Sequence, residues 1–129
     1  MAQLASENRT PEEIDELEEI LKEQEKGVEN GKNPIETDSE FHRLLARMAR
    51  NRVLERLLIT LVDLLGKTRE KYLQTEERKQ KSLDGHYAIL TAVRNGNGRA
   101  ARKAMLRHLE DVEHAVFSKR KGGGKKTPS

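Results

Sequence analysis

The chain has no cysteine and no tryptophan, and aromatic residues make up only 3% of its 129 positions. Without cysteine there are no disulfides, thiolate metal sites, iron–sulfur clusters or cysteine nucleophiles. With so few aromatics and 36% charged residues, the balance is that of a helical, highly soluble protein rather than a sandwich or barrel. Long apolar runs are missing too. The first ten residues, M-A-Q-L-A-S-E-N-R-T, contain no apolar signal-peptide core. The longest apolar stretch, Leu57 to Leu65, is interrupted by Asp63 and is too short to span a bilayer. These absences lead to the expectation of a cytoplasmic protein without membrane contact. Catalytic signatures are also lacking: there is no H-E-x-x-H, no phosphate-binding G-x-x-x-x-G-K-[ST] and no G-x-S-x-G.

What is present is charge, unevenly placed. The formal net charge is +3, but residues 119–126 (K-R-K-G-G-G-K-K) hold five basic and no acidic groups, leaving −2 on the remainder. The body is therefore slightly acidic, and the basic character belongs to a tail. A charge run beside a glycine triplet reads as a disordered, solvated end, residues 119–129, able to touch phosphate only weakly and without sequence preference.

Helix signals partition residues 1–118. Residues 2–9 read as the end of a helix. Thr10-Pro11-Glu12-Glu13 is a restart, with Thr as N-cap, Pro at the first helical position and Glu at the third. Ile14, Leu17, Leu21, Gln24 and Val28 follow at 3/4 spacing until Gly31 stops the helix near Asn30. Asn33-Pro34-Ile35-Glu36 repeats the signature and opens a helix to about Arg50. Asn51 starts a long helix whose stripe is Leu54, Leu57, Leu58, Leu61, Leu64, Leu65 and Tyr72. A polar break at Gln74–Arg78 precedes a helix ending at Asn95-Gly96. Asn97 caps the last helix, with Ala101, Ala104, Met105, Leu109, Val112 and Val116 as its stripe. No segment alternates as a strand would. The expected fold is all-α, an antiparallel bundle of about six helices.

Polar residues interrupt these stripes. Asp38 and His42 share a face with Phe41, Leu45 and Ala49. His86 lies with Leu83, Leu90 and Val93, and His108 with Ala101, Ala104, Met105 and Val112. His114 serves as a control, since its helical neighbours are Arg107, Glu110 and Asp111 and it belongs to a solvated face. Residues four apart on one helix can reach one ion, and two further helices then supply one imidazole each. Three nitrogens and one hard oxygen suit a divalent metal, zinc first, with nickel, manganese or iron(II) as alternatives. The competing reading is of separate core histidines, each satisfied by backbone partners. A di-iron carboxylate bundle is excluded, because no Glu stands three residues before any His.

Four blocks carry a resemblance: L-A-S-E-N-R-T-P-E-E-I-D-E-L, D-S-E-F-H-R-L-L-A-R-M-A-R-N, S-L-D-G-H-Y-A-I-L-T-A-V-R-N-G-N and A-A-R-K-A-M-L-R-H-L. Over about residues 3–117 the chain resembles the FadR C-terminal (FCD) ligand-binding domain of bacterial GntR-type transcription regulators. The resemblance implies a metal held by Asp38, His42, His86 and His108 at the floor of a pocket. It further implies that a small organic acid binds there and alters DNA binding by a separate winged-helix domain. Residues 1–118 are then an effector- and metal-binding domain that starts inside the family's first helix, with the winged-helix domain absent. DNA would be met only through that missing N-terminal domain. Arg78, Asn51 and Ser82 stand where the family often has polar effector contacts, and a homodimer is expected. The acyl-CoA-binding branch lacks the metal set, so this chain resembles the metal-binding branch. Gly85 departs from the family's usual Glu before His, and Asn97 replaces an Asp cap. The alternative from another class is a small metal-dependent enzyme using the same Asp/His3 set, for which Asp63 is the only candidate inward base. A helical interaction module with no site explains the stripes but not the four inward polar residues.

Overall fold

In the computed structural model, described for residues 1–64, 73 and 75–125 (side chains at 61, 62 and 112–125 excepted), six helices and no strand occur among the described residues. They are α1 (Ala2–Asn8), α2 (Pro11–Glu29), α3 (Ile35–Met48), α4 (Arg52–Leu64), α5 (Glu76–Arg94) and α6 (Gly98–Lys125). None is long and apolar enough to cross a membrane. The all-α bundle expected from the stripes is the fold observed.

The helix ends follow from the cap residues. Thr10 Oγ1 accepts from the Glu13 amide at 3.2 Å, with Pro11 supplying a first turn that needs no N–H. The Glu13 side chain does not complete a capping box. It turns to Arg50, whose guanidinium meets both carboxylate oxygens at 2.9 Å. Arg50 itself has φ 58, the left-handed turn that ends α3. Asn51 then restarts the chain, its Oδ1 accepting from Leu54 N at 3.1 Å. Asn33 Oδ1 takes the Ile35 amide at 3.0 Å, and Asn97 Oδ1 takes that of Ala100 at 3.0 Å. Within the break placed at 74–78, helix begins at Glu76. Thr75 Oγ1 accepts from Arg78 N at 3.2 Å, so Glu76 and Glu77 form an acidic first turn instead of a loop.

The core is built by α1, α2, α3, α5 and α6. Leu17 and Leu21 of α2, Phe41, Leu45 and Met48 of α3, and Ile89, Leu90 and Val93 of α5 are fully buried. Each such side chain contributes roughly 1.5–3 kcal/mol by leaving water. The short α1 closes against α3, α5 and α6 through small residues, Ala2, Ala5 and Ser6, all buried. Two stripe expectations need correction. Leu57 and Leu64 of α4 are 54% and 74% exposed, and Leu109 of α6 is 52% exposed. A stripe read at 3/4 spacing assumes a neighbour on every apolar face, and α4 packs mainly on α3 alone. Leu61, Leu65, Tyr72, Val112, Val116 and His114 lie outside the residues or side chains described. Helix α6 is assigned through Lys125, so its backbone enters the run read as a solvated tail. Three consecutive glycines there, each about 1 kcal/mol worse than Ala, make that stretch intrinsically weak helix.

Candidate metal centre

Three helices aim four polar side chains at one point. Asp38 and His42 come from α3, one turn apart, His86 from the middle of α5 and His108 from α6. One ligand atom from each lies within 4.8 Å of every other, and this is the one such group of three or more among the described residues. Asp38, His86 and His108 are buried and His42 nearly so. Apolar neighbours on the same faces direct them inward: Phe41 and Leu45 on α3, Leu83 and Leu90 on α5, Ala101 and Met105 on α6.

Asp38 is the hub. Its Oδ1 is 2.9 Å from His86 Nε2 and 3.4 Å from His42 Nε2. Around it the imidazoles pack ring to ring, with centroids 5.1 Å apart for His42–His86, 4.8 Å for His86–His108 and 5.5 Å for His42–His108. Phe41 stacks on His86 at 4.5 Å and 27°, fixing the plane of that ring. On the other side, His86 Nδ1 meets Gln24 Oε1 of α2 at 2.9 Å. Gln24 counts only as a stripe residue in the sequence. Its polarity inside an otherwise apolar row was the available signal.

Burial pushes the Asp38 carboxyl up, but the adjacent His42 and His86 outweigh burial and hold it well below the usual range. Burial, reinforced by His86 and His42, pushes His108 down to about 3, against a smaller opposing pull from Asp38. At neutral pH the cluster thus presents an ionised carboxylate and a neutral His108, the protonation states that metal ligation requires.

The other sequence candidates lie on α5 and at the start of α4. Ser82 is buried on α5, one turn before His86. Arg78 lies in the first turn of α5, half-buried, and Asn51 is exposed with its side chain engaged as the α4 cap. Asp63, the candidate base of the enzymatic alternative, faces outward with a 68% exposed side chain and pairs with Arg43 at 3.3 Å. It cannot serve the cluster.

Comparison with known proteins gives the family of the chain. The family model for the FCD domain matches residues 1–111. The HTH-type transcriptional regulator LutR of Bacillus subtilis (strain 168) is 32% identical over 121 residues, covering 90% of this chain and 55% of LutR. The HTH-type transcriptional repressor NanR of Citrobacter rodentium (strain ICC168) is 31% identical over 128 residues, covering 94% and 49%. The Uxu operon regulator of Haemophilus influenzae (strain ATCC 51907 / DSM 11121 / KW20 / Rd) is 28% identical over 123 residues, covering 91% and 46%. The chain spans about half the length of these curated relatives.

Proposed function

Since the chain belongs to the FCD domain family of GntR-type transcription regulators, we propose that it is a non-catalytic effector sensor in which one divalent metal, held by Asp38, His42, His86 and His108, binds a small carboxylate. The observation that carries this reading is the convergence of the four ligand atoms within 4.8 Å in a buried site. Separate core histidines with backbone partners would have no reason to meet around one carboxylate oxygen. The donor set fits a metal. Three imidazole nitrogens and one hard oxygen suit zinc, nickel, manganese or iron(II), and in six-coordinate ions leave positions for exogenous oxygens. The bound ion would supply a Lewis-acidic anchor for an organic carboxylate. Regulation would then follow by linkage: an effector that changes affinity for DNA through an attached winged-helix domain is itself bound more tightly or more weakly when DNA is present. A cytoplasmic setting and a homodimer belong to the same proposal. An enzymatic reading has no outward support, because Asp63 is turned to solvent.

A panel of small organic acids, screened by thermal shift, tests the ligand half of the proposal. With zinc, manganese or nickel supplied, at least one acid at about 100 times its Kd raises stability by about 2.7 kcal/mol. After chelation the same acid gives no shift. Stabilisation that persists in metal-free protein refutes binding through the ion.

Gly85 provides a second test. A Cβ there would stand 2.6 Å from His108 Nδ1, too close for the ring to stay in place. Ala is about 1 kcal/mol better than Gly inside a helix, so Gly85→Ala ought to stabilise α5 if only helix propensity matters. The expected result is instead a metal affinity lowered about tenfold, as for other changes that misalign a ligand. Isothermal titration with zinc reads this directly, and unchanged affinity would mean that His108 is not held as described.

A further inference from the structure

We infer that Gln24 is a positioning residue that selects the tautomer of His86 and so leaves the Nε2 lone pair free for the metal. The inference rests on the metal reading above. His86 and Gln24 are 0% and 1% exposed, so water does not offer His86 an alternative partner. An imidazole that ligates through Nε2 carries its proton on Nδ1, and that proton needs an acceptor. Gln24 Oε1 lies 2.9 Å from Nδ1, and Nε2 on the opposite side of the ring is 2.9 Å from Asp38 Oδ1. The ring faces are not available for this purpose, with Phe41 stacked on the ring at 4.5 Å. Orientation therefore comes from two directions: Phe41 sets the plane, and Gln24 sets the protonated edge.

Packing alone does not account for an amide here. Gln24 sits in the buried row of α2 with Leu17, Leu21 and Val28. Its Nε2 is buried and finds no hydrogen-bond partner among the described residues. A buried amide donor without a partner is destabilising. Leu or Met would fill similar space without that penalty. The carbonyl oxygen is what an apolar residue cannot replace. If the amide turned over, its NH2 would face Nδ1, the ring proton would move to Nε2, and the lone pair aimed at the metal would be lost. A carboxylate at this position accepts with either oxygen and cannot present the wrong group.

Three variants and one spectroscopic signature test the inference. Zinc affinity is measured by competition with a chromophoric chelator in wild type, Gln24→Leu and Gln24→Glu, and the His86 tautomer by long-range 1H–15N correlation in the zinc-loaded protein. Gln24→Leu is expected to bind zinc about 10- to 100-fold more weakly, the range found when a ligand's hydrogen-bond partner is removed. Its metal-free melting temperature changes little, because the orphaned amide is gone while His86 Nδ1 loses its acceptor. Gln24→Glu binds at least as tightly as wild type, and wild-type His86 carries its proton on Nδ1. A purely structural role would not lower zinc affinity while leaving metal-free stability nearly unchanged. Gln24→Met, unbranched and adaptable, repeats the comparison should Leu not be accommodated. The inference is overturned if Gln24→Leu loses less than about tenfold in affinity, if Gln24→Glu is as weak as Gln24→Leu, or if His86 is protonated on Nε2. If wild type itself binds no zinc, manganese or nickel, the metal reading fails and takes this inference with it. If wild type binds and the leucine variant binds equally well, only the role of Gln24 is lost.

Discussion

Asp38→Asn cuts the difference in melting temperature between metal-loaded and chelator-treated protein by at least about two thirds. In the wild type that difference is large. A ligand present at about 1,000 times its Kd and bound only by the folded state adds about 4 kcal/mol, or roughly 10–25 °C for a domain of this size. Asp38 is the single anionic donor in the set, and its Oδ1 lies within 2.9 Å of His86 Nε2 and 3.4 Å of His42 Nε2. Asn keeps the size and shape and removes the charge, so the packing around Phe41 and Leu45 survives while metal affinity falls by more than about 100-fold, beyond what indirect changes cost. Melting curves with and without zinc, recorded on both proteins, provide the check. A metal-dependent shift that persists undiminished in Asp38→Asn would remove Asp38 from the coordination sphere.

Acid unfolds the metal-free domain over a window that the cluster dictates. His108 titrates near 3 in the fold, for burial and then for its neighbours His86 and His42, against 6.5 when exposed. Between those values the unfolded chain binds a proton that the native chain does not. Stability therefore falls as pH drops from about 6.5 toward 3, by up to about 1.4 kcal/mol per pH unit and on the order of 4 kcal/mol in all. Asp38 adds to the loss only at the lower end. Its folded pKa is depressed, so the stability it contributes is present above the unfolded value near 3.9 and disappears below it. Metal steepens the same trend, since protons compete for its ligands. Urea titrations in chelator at pH 7, 6, 5 and 4 should show a progressive decrease in wild type and a flatter profile in His108→Leu. A wild-type stability unchanged between pH 7 and 4 contradicts a buried, neutral His108.

Much of this was legible in the sequence because short-range chemistry decided it. The caps Thr10, Asn51 and Asn97 each take the backbone amide three positions on, and Asn33, one residue before the Pro34 N-cap, takes the Ile35 amide. Asp38, His42, His86 and His108 were visible as polar residues on apolar stripes, and helical periodicity was enough to turn them inward. That they would meet at one point depends on helix packing, which periodicity does not encode, so the resemblance to a family had to supply it. Gln24 was hidden for the converse reason. Its partner His86 is 62 positions away, and its spacing alone made it look like another stripe residue. Leu57, Leu64 and Leu109 were misjudged because a stripe says which face is apolar and not whether anything covers it. Glu13 stands at the third helical position, where a capping box would use it, but a cation from the α3 end, Arg50, offers it a two-point contact.

The measurement that bears most directly on the central claim is native mass spectrometry of the folded domain after exposure to zinc, manganese and nickel, with His42→Ala, His86→Ala and His108→Ala beside it. The account predicts one divalent ion per wild-type chain for at least one of these metals, and its loss in each variant. Wild-type protein that remains metal-free, or variants that retain the ion, would contradict it.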